Sequence, residues 1–104
     1  MDYNVIVTED AENDLDRFLQ YLFYEIKNEQ AAGNLIDDFE ETVRILSGVA
    51  GSLKLCENPR LKKMGYKRIN FQKHRYFMLF RVEGNDAIID ALFHELQDYE
   101  NKMI

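Results

Sequence analysis

The residues best suited to chemistry in this chain cluster between Lys62 and His94. Lys62, Lys63, Lys67, Arg68 and Arg81 stand there, with Tyr66 and His94 among them and Tyr99 just beyond. Arginine and lysine bind anions. The guanidinium is a planar fork that engages carboxylate or phosphate oxygens in pairs, and the ammonium adds a point charge. Their distribution along the chain is uneven. Met1–Ala50 carries twelve acids against three bases, a net −9, whereas Gly51–Val82 carries nine bases against one acid, a net +8. The whole 104-residue chain sits at −6, which taken alone argues against a nucleic-acid partner. The bipolar pattern has two readings. Acidic helix surfaces and lysine-guarded strand edges are ordinary features of soluble domains. Alternatively, the basic segment meets something anionic, either an acidic polypeptide or a phosphate backbone.

Gly65–His94 must position these groups. It reads as three strands, Tyr66–Gln72, Tyr76–Val82 and Ala87–Phe93. Turns fall at Lys73–Arg75 and Glu83–Asp86, the second built on Gly84-Asn85. Side chains alternate across a strand, so each strand has two faces. Ile69, Phe71, Tyr76, Met78, Phe80, Val82, Ala87, Ile89, Ala91 and Phe93 form one almost wholly apolar face. Tyr66, Arg68, Asn70, Phe77, Leu79, Arg81, Ile88, Asp90, Leu92 and His94 form the other. The alternation therefore predicts helices on the first face. It predicts that Arg68, Arg81 and His94 converge on the second, left open for a partner or substrate.

Upstream, Tyr3–Val7 reads as a strand and Thr8 as the N-cap of a helix reaching about Ile26. Ala11, Leu15, Phe18, Leu19, Leu22, Phe23 and Ile26 follow a 3.6-residue period, while Asp10, Asn13, Asp14, Arg17 and Gln20 line its wet side. A second helix starts at the cap Asn28, runs to Val49 and frays over Ser47–Ser52. Its acids Asp37, Asp38, Glu40 and Glu41 read as a mostly outward, solvated face, not a metal site. Leu53–Met64 reads as an irregular basic linker, Cys56 as a small apolar filler, and Glu95–Ile104 as a short terminal helix or tail. The expected fold class is α+β, with a helical hairpin packed on one face of a mainly antiparallel four-stranded sheet, as a single domain over residues 1–104. No apolar run is long enough to span a membrane, no secretory leader is visible, and one cysteine forms no internal disulfide, which together suggest a cytoplasmic protein. No cofactor or metal is expected.

The order of elements resembles the RelE/ParE superfamily of toxins from bacterial type II toxin–antitoxin modules. Val7-Thr8-Glu9-Asp10-Ala11, Asp14-Leu15 and Tyr21-Leu22 resemble the family's opening strand and first helix, and Gln30-Ala31-Ala32 with Leu35 the start of its second. Gly65-Tyr66-Lys67-Arg68-Ile69 is similar to the Gly-Tyr-Arg segment of the central strand, Phe80-Arg81-Val82 to a Tyr-Arg-Val strand, and Asp98-Tyr99-Glu100-Asn101 to the terminal motif. The chain departs from the pattern in three places, one of them a longer first hairpin at Gln72–Arg75. Alignment puts Lys67 where the family carries arginine, while the strand alternation puts Arg68 on the open face. Leu96 and Gln97 stand where paired arginines often precede the Asp-Tyr motif.

The resemblance implies two classes of activity. RelE-like members are ribosome-dependent endoribonucleases that cleave mRNA by attack of a 2′-hydroxyl on the adjacent phosphate. On that reading Arg68 and Arg81 are phosphate clamps, Lys62, Lys63 and Lys67 are further cations, and His94 is the general acid or base. Tyr66 or Tyr99 would stack on a base. ParE-like members inhibit DNA gyrase through protein contacts, and the missing paired arginines fit that class or an attenuated, non-toxic interaction domain. Both classes imply a cognate antitoxin, laid as a helix or strand over the fold and shielding the basic segment with acidic side chains.

Overall fold

The structure, a computed structural model, describes residues 2–97. Strand β1, Asn4–Val7, leads directly into helix α1, Glu9–Gln20. Thr8 joins the two. Its Oγ1 accepts the Ala11 N–H at 3.3 Å and donates to the Ile89 carbonyl at 2.9 Å, so one side chain caps the helix and pins it to the sheet. Glu9, Asp10 and Glu12 occupy the first turn, where the helix dipole favours them. The helical path continues to Ile26 as expected, but its last stretch, Tyr21–Glu25, is a π-helical turn. Lys27 then adopts a positive φ of 57°, and the Asn28 N–H closes back on the Leu22 carbonyl. Asn28 caps α2, Glu29–Val49, by accepting the Ala31 N–H at 3.0 Å. Beyond Val49 the chain tightens into a 3₁₀ turn, Ala50–Ser52.

The segment after it is more regular than expected. Leu55 bridges Lys67, and Pro59–Lys63 forms a short helix, α3. Asn58 caps α3, accepting from the N–H groups of Arg60 and Leu61, and Pro59 supplies the preset first turn. Gly65, at φ 85°, ends it in the left-handed conformation. The Gly65 N–H then reaches the Lys62 carbonyl and the Tyr66 N–H the Leu61 carbonyl, which is a Schellman closure.

Three strands follow: β2, Lys67–Asn70; β3, Tyr76–Glu83; and β4, Asp86–His94. A two-residue loop joins β3 to β4, with Gly84 at φ 59° as its first position demands. The sheet order is β1-β4-β3-β2, with β1 parallel to β4 and the other pairs antiparallel. The helical hairpin covers one face. Ala11, Leu35 and Leu46 from the helices enclose Ile69, Phe71, Met78, Phe80, Ala87 and Ile89, with Tyr76 and Val82 at the margin. Among the described residues, no helix is long and apolar enough to cross a membrane.

Two acids expected on solvated helix faces are anchors instead. Asp38 is 3% exposed; its carboxylate takes the backbone N–H groups of Gln72 at 3.0 Å and Lys73 at 2.9 Å, and His74 Nδ1 at 2.6 Å. It thereby ties the β2–β3 loop to α2. Asp14 accepts the Leu92 N–H at 3.0 Å, where β4 runs past the end of β1. The expected terminal helix or tail falls largely outside the described residues; within them, the Gln97 N–H turns back to the His94 carbonyl.

Candidate functional site

The face of the sheet away from the helical hairpin is shaped by one residue in excess. Leu79 pairs with Ala91, but the next residue, Phe80, pairs with Ile89. Asp90 is left over as a β-bulge. A bulge puts two neighbouring side chains on one side and reverses the alternation beyond it. Ala91 and Phe93, expected under the helices, therefore lie on the far face with Tyr66, Phe77 and Leu79. Leu92, expected on the far face, is buried under the helices.

The same reversal moves His94. It pairs with Tyr76, which packs against the helix-side core, and the two rings meet edge-on with centroids 5.0 Å apart. Its Nδ1 accepts the Leu96 N–H at 3.1 Å and its backbone N–H donates to Gln97 Oε1. Arg68 and Arg81 stay on the far face, so the convergence of Arg68, Arg81 and His94 expected from strict alternation does not form.

On the far face Asp90 is the hub. Its Oδ2 accepts the Tyr66 hydroxyl and Arg81 Nε, each at 2.8 Å, and a terminal nitrogen of Arg81 pairs with Glu83. Burial first, and then the hydrogen bond to Asp90, push the Tyr66 phenol above its ordinary value. The hydrogen bond to Asp90 raises Arg81 still further. Arg81 is thus an arginine held between two carboxylates, and its fork braces the bulge. Tyr66 is 8% exposed and aims its hydroxyl at Asp90, an arrangement that does not offer its ring to an incoming base.

Arg68 lies beside this group. Its guanidinium stacks over the Phe77 ring at 3.7 Å and its Nε donates to Asn70 Oδ1 at 2.9 Å. Lys67 points to the opposite face. Its Nζ reaches the carbonyls of Ala50 and Gly51 at 3.3 and 3.4 Å, where a cation complements the end of the helical segment. Of the two, Arg68 is the one that lies on the face away from the helical hairpin. Lys62 and Lys63 are exposed in the last turn of α3, whose Leu61 plugs the cluster of Cys56, Tyr66, Phe77 and Leu79. Cys56 is buried in that cluster, as an apolar filler would be. Tyr99 lies outside the described residues.

This face is therefore roofed in part by α3 and fringed with cations. A hollow of about 680 Å³ runs along the edge of β2 between Ser52–Glu57 and Arg68–Asn70. Among the described residues, no group of three histidine, cysteine, aspartate or glutamate side chains could hold a metal ion.

The anchoring roles of Asp14, Asp38 and Asp90 were not anticipated. Two carried a signal. Leu35, Asp38, Thr42 and Leu46 make one ladder of three- and four-residue steps along α2, all buried. Asp14 stands between Ala11 and Phe18 in the same manner on α1. An acid inside an apolar ladder is positioned to accept from neighbouring backbone.

A helical hairpin on a four-stranded mixed sheet is the RelE/ParE-like α+β fold. Two of the solved structures that share it are toxin–antitoxin systems. One is described as a chromosomal ParDE toxin–antitoxin system from P. aeruginosa, with a TM-score of 0.72, 22% identity, and coverage of 88% of this chain and 95% of that one. The other is described as the toxin–antitoxin complex RelBE2 from Mycobacterium tuberculosis, with a TM-score of 0.60, 17% identity, and coverage of 90% and 99%. No curated protein sequence matches the chain. Residues 5–99 match the family described as the ParE toxin of type II toxin–antitoxin systems, parDE, and the chain belongs to that family.

Proposed function

We propose that this ParE-type toxin acts by binding a protein target in the cytoplasm, DNA gyrase first among the candidates, and not by cutting RNA. The observation that carries the reading is the state of Arg81. Phosphoryl chemistry needs a cation available to the charge developing on phosphate and an acid or base beside it. Here Arg81 is engaged by Asp90 and Glu83, and His94 lies across the sheet. A phosphate entering at Arg81 would compete with Asp90 at Nε and with Glu83 at a terminal nitrogen.

A cognate antitoxin is the second part of the proposal. The basic fringe of Lys54, Arg60, Lys62 and Lys63, all exposed, suits an acidic segment. The hollow beside β2 gives that segment a path along the sheet edge. The competing reading, a ribosome-dependent endoribonuclease, is tested in a translation extract programmed with a defined message, with cleavage mapped by primer extension. The message should stay intact at micromolar excess of toxin. Specific cleavage that Arg81→Lys abolishes would reverse the proposal, because that substitution keeps the charge and removes the fork.

A further inference from the structure

The short helix α3 presents cations in a fixed arrangement. Leu61 is buried and sets which side of the turn faces the sheet. At about 100° per residue, Arg60 and Lys62 then stand to either side of Leu61, and Lys63 points away from the core. All three are exposed, as is Lys54 on the segment that runs beside β2. The backbone beneath them is held at both ends, by the Asn58 cap before it and the Gly65 closure after it. Glu57 is the one acid between Gly51 and Val82. The nearby carboxylates of the far face are engaged, Asp90 by Tyr66 and Arg81 and Glu83 by Arg81.

These groups can engage charge but cannot read bases. The exposed aromatic rings among the described residues, Tyr21, Phe23 and Tyr24, lie at the tip of the helical hairpin. On the face that α3 roofs, Tyr66 is buried with its hydroxyl on Asp90, and Phe77 is buried beneath the Arg68 guanidinium. A single strand is held by stacking on aromatic platforms as well as by cations, and the described residues of this face offer it none. A duplex keeps its bases stacked on one another and presents one phosphate charge per about 1.7 Å of axis. We propose that Arg60, Lys62, Lys63 and Lys54 bind the phosphate backbone of duplex DNA without regard to sequence. This rests on the protein-directed reading above and deepens it. Gyrase acts on duplex DNA, so a toxin seated on the enzyme also grips the DNA that the enzyme holds. The net charge of −6 does not oppose such a contact. Its surplus of acids belongs to the Met1–Ala50 half, and a Debye length of about 8 Å at physiological salt limits their reach. An acidic antitoxin segment suits the same cations, so antitoxin and duplex exclude one another.

The test uses the full chain and short labelled duplexes, read by fluorescence anisotropy. Affinity should be the same for duplexes of unrelated sequence. It should fall with salt at a log–log slope of about −3 to −4, a loss of roughly 60- to 250-fold between about 50 and 200 mM. Lys62→Gln with Lys63→Gln, both on the surface, should flatten that slope by about two. Lys73→Gln with Arg75→Gln, exposed on the β2–β3 loop, should leave it unchanged. In a supercoiling assay the Lys62 and Lys63 variant should need at least about tenfold more toxin for the same inhibition. Three results overturn the proposal even where the chain still stops gyrase: no duplex bound at low salt, a slope that the two lysines do not change, or tighter binding of a single-stranded RNA of the same length. Duplex binding with supercoiling untouched overturns the protein-directed reading instead, and with it the assignment of the ligand to the DNA that gyrase holds.

Discussion

Replacing Asp38 with asparagine should destabilise the fold far more than a substitution on a solvated helix face would. The carboxylate accepts three hydrogen bonds, from the N–H groups of Gln72 and Lys73 and from His74 Nδ1. Hydrogen bonds to a charged group contribute about 1.5–3 kcal/mol each, and asparagine can keep one of the three. His74 is 28% exposed, so water recovers part of what its imidazole loses. A net loss of about 2–4 kcal/mol follows, which for a chain of this size lowers Tm by roughly 10–25 °C. The effect must also depend on pH. Burial pushes the Asp38 carboxyl up, but the hydrogen bonds from His74, Lys73 and Gln72 outweigh it and hold the group below its ordinary value of 3.8. A folded-state value below the unfolded one gives stability that is complete above about pH 4 and is lost as pH falls through the lowered value. Urea melts of wild type and Asp38→Asn should therefore be well separated at pH 7 and draw together on acidification below that range. A difference under about 0.5 kcal/mol at pH 7, or one that acid leaves unchanged, would refute the anchoring role.

Other perturbations separate core, site and partner effects. Phe80→Ala should cost about 3–5 kcal/mol in denaturant melts, since Phe80 is fully buried under the helices, and a loss below about 1 kcal/mol would contradict that. Tyr66→Phe removes one donor from Asp90 and should cost about 1 kcal/mol with the Arg81 pair intact; unchanged melts would mean that the hydroxyl contributes nothing to the bulge. Lys62→Glu with Lys63→Glu should slow antitoxin association in stopped-flow more than it speeds dissociation, and association rates indifferent to salt would remove the electrostatic part of the docking model.

Much of the fold was legible because local chemistry and global packing agree. Thr8 and Asn28 cap the two long helices as their positions suggest, Gly84-Asn85 turns the last hairpin, and the apolar alternation from Ile69 to Ile89 faces the helices. The site was less legible because Ala91-Leu92-Phe93 is apolar at every position. Period-two patterning gives no signal when both registers bury hydrophobic side chains, so nothing in the residue types marks Asp90 as the extra one. That single residue decides which face His94 occupies, and with it whether an imidazole stands beside Arg81. The linker reading missed α3 because five residues are too few to show a helical period, although Asn58-Pro59 is a cap followed by a first-turn proline. The π turn has no residue signature of its own, and the aromatic tip is spaced as an α-helix would be until Lys27 closes it.

The reading of this toxin as a protein-directed inhibitor is tested most directly by a supercoiling assay with purified gyrase and relaxed plasmid, titrated with the purified chain. Supercoiling should stop as the toxin is added and resume when the cognate antitoxin is supplied. Full supercoiling at micromolar excess of toxin, from a preparation that cleaves a defined message in a translation extract, would contradict it and return Arg81 to phosphate chemistry.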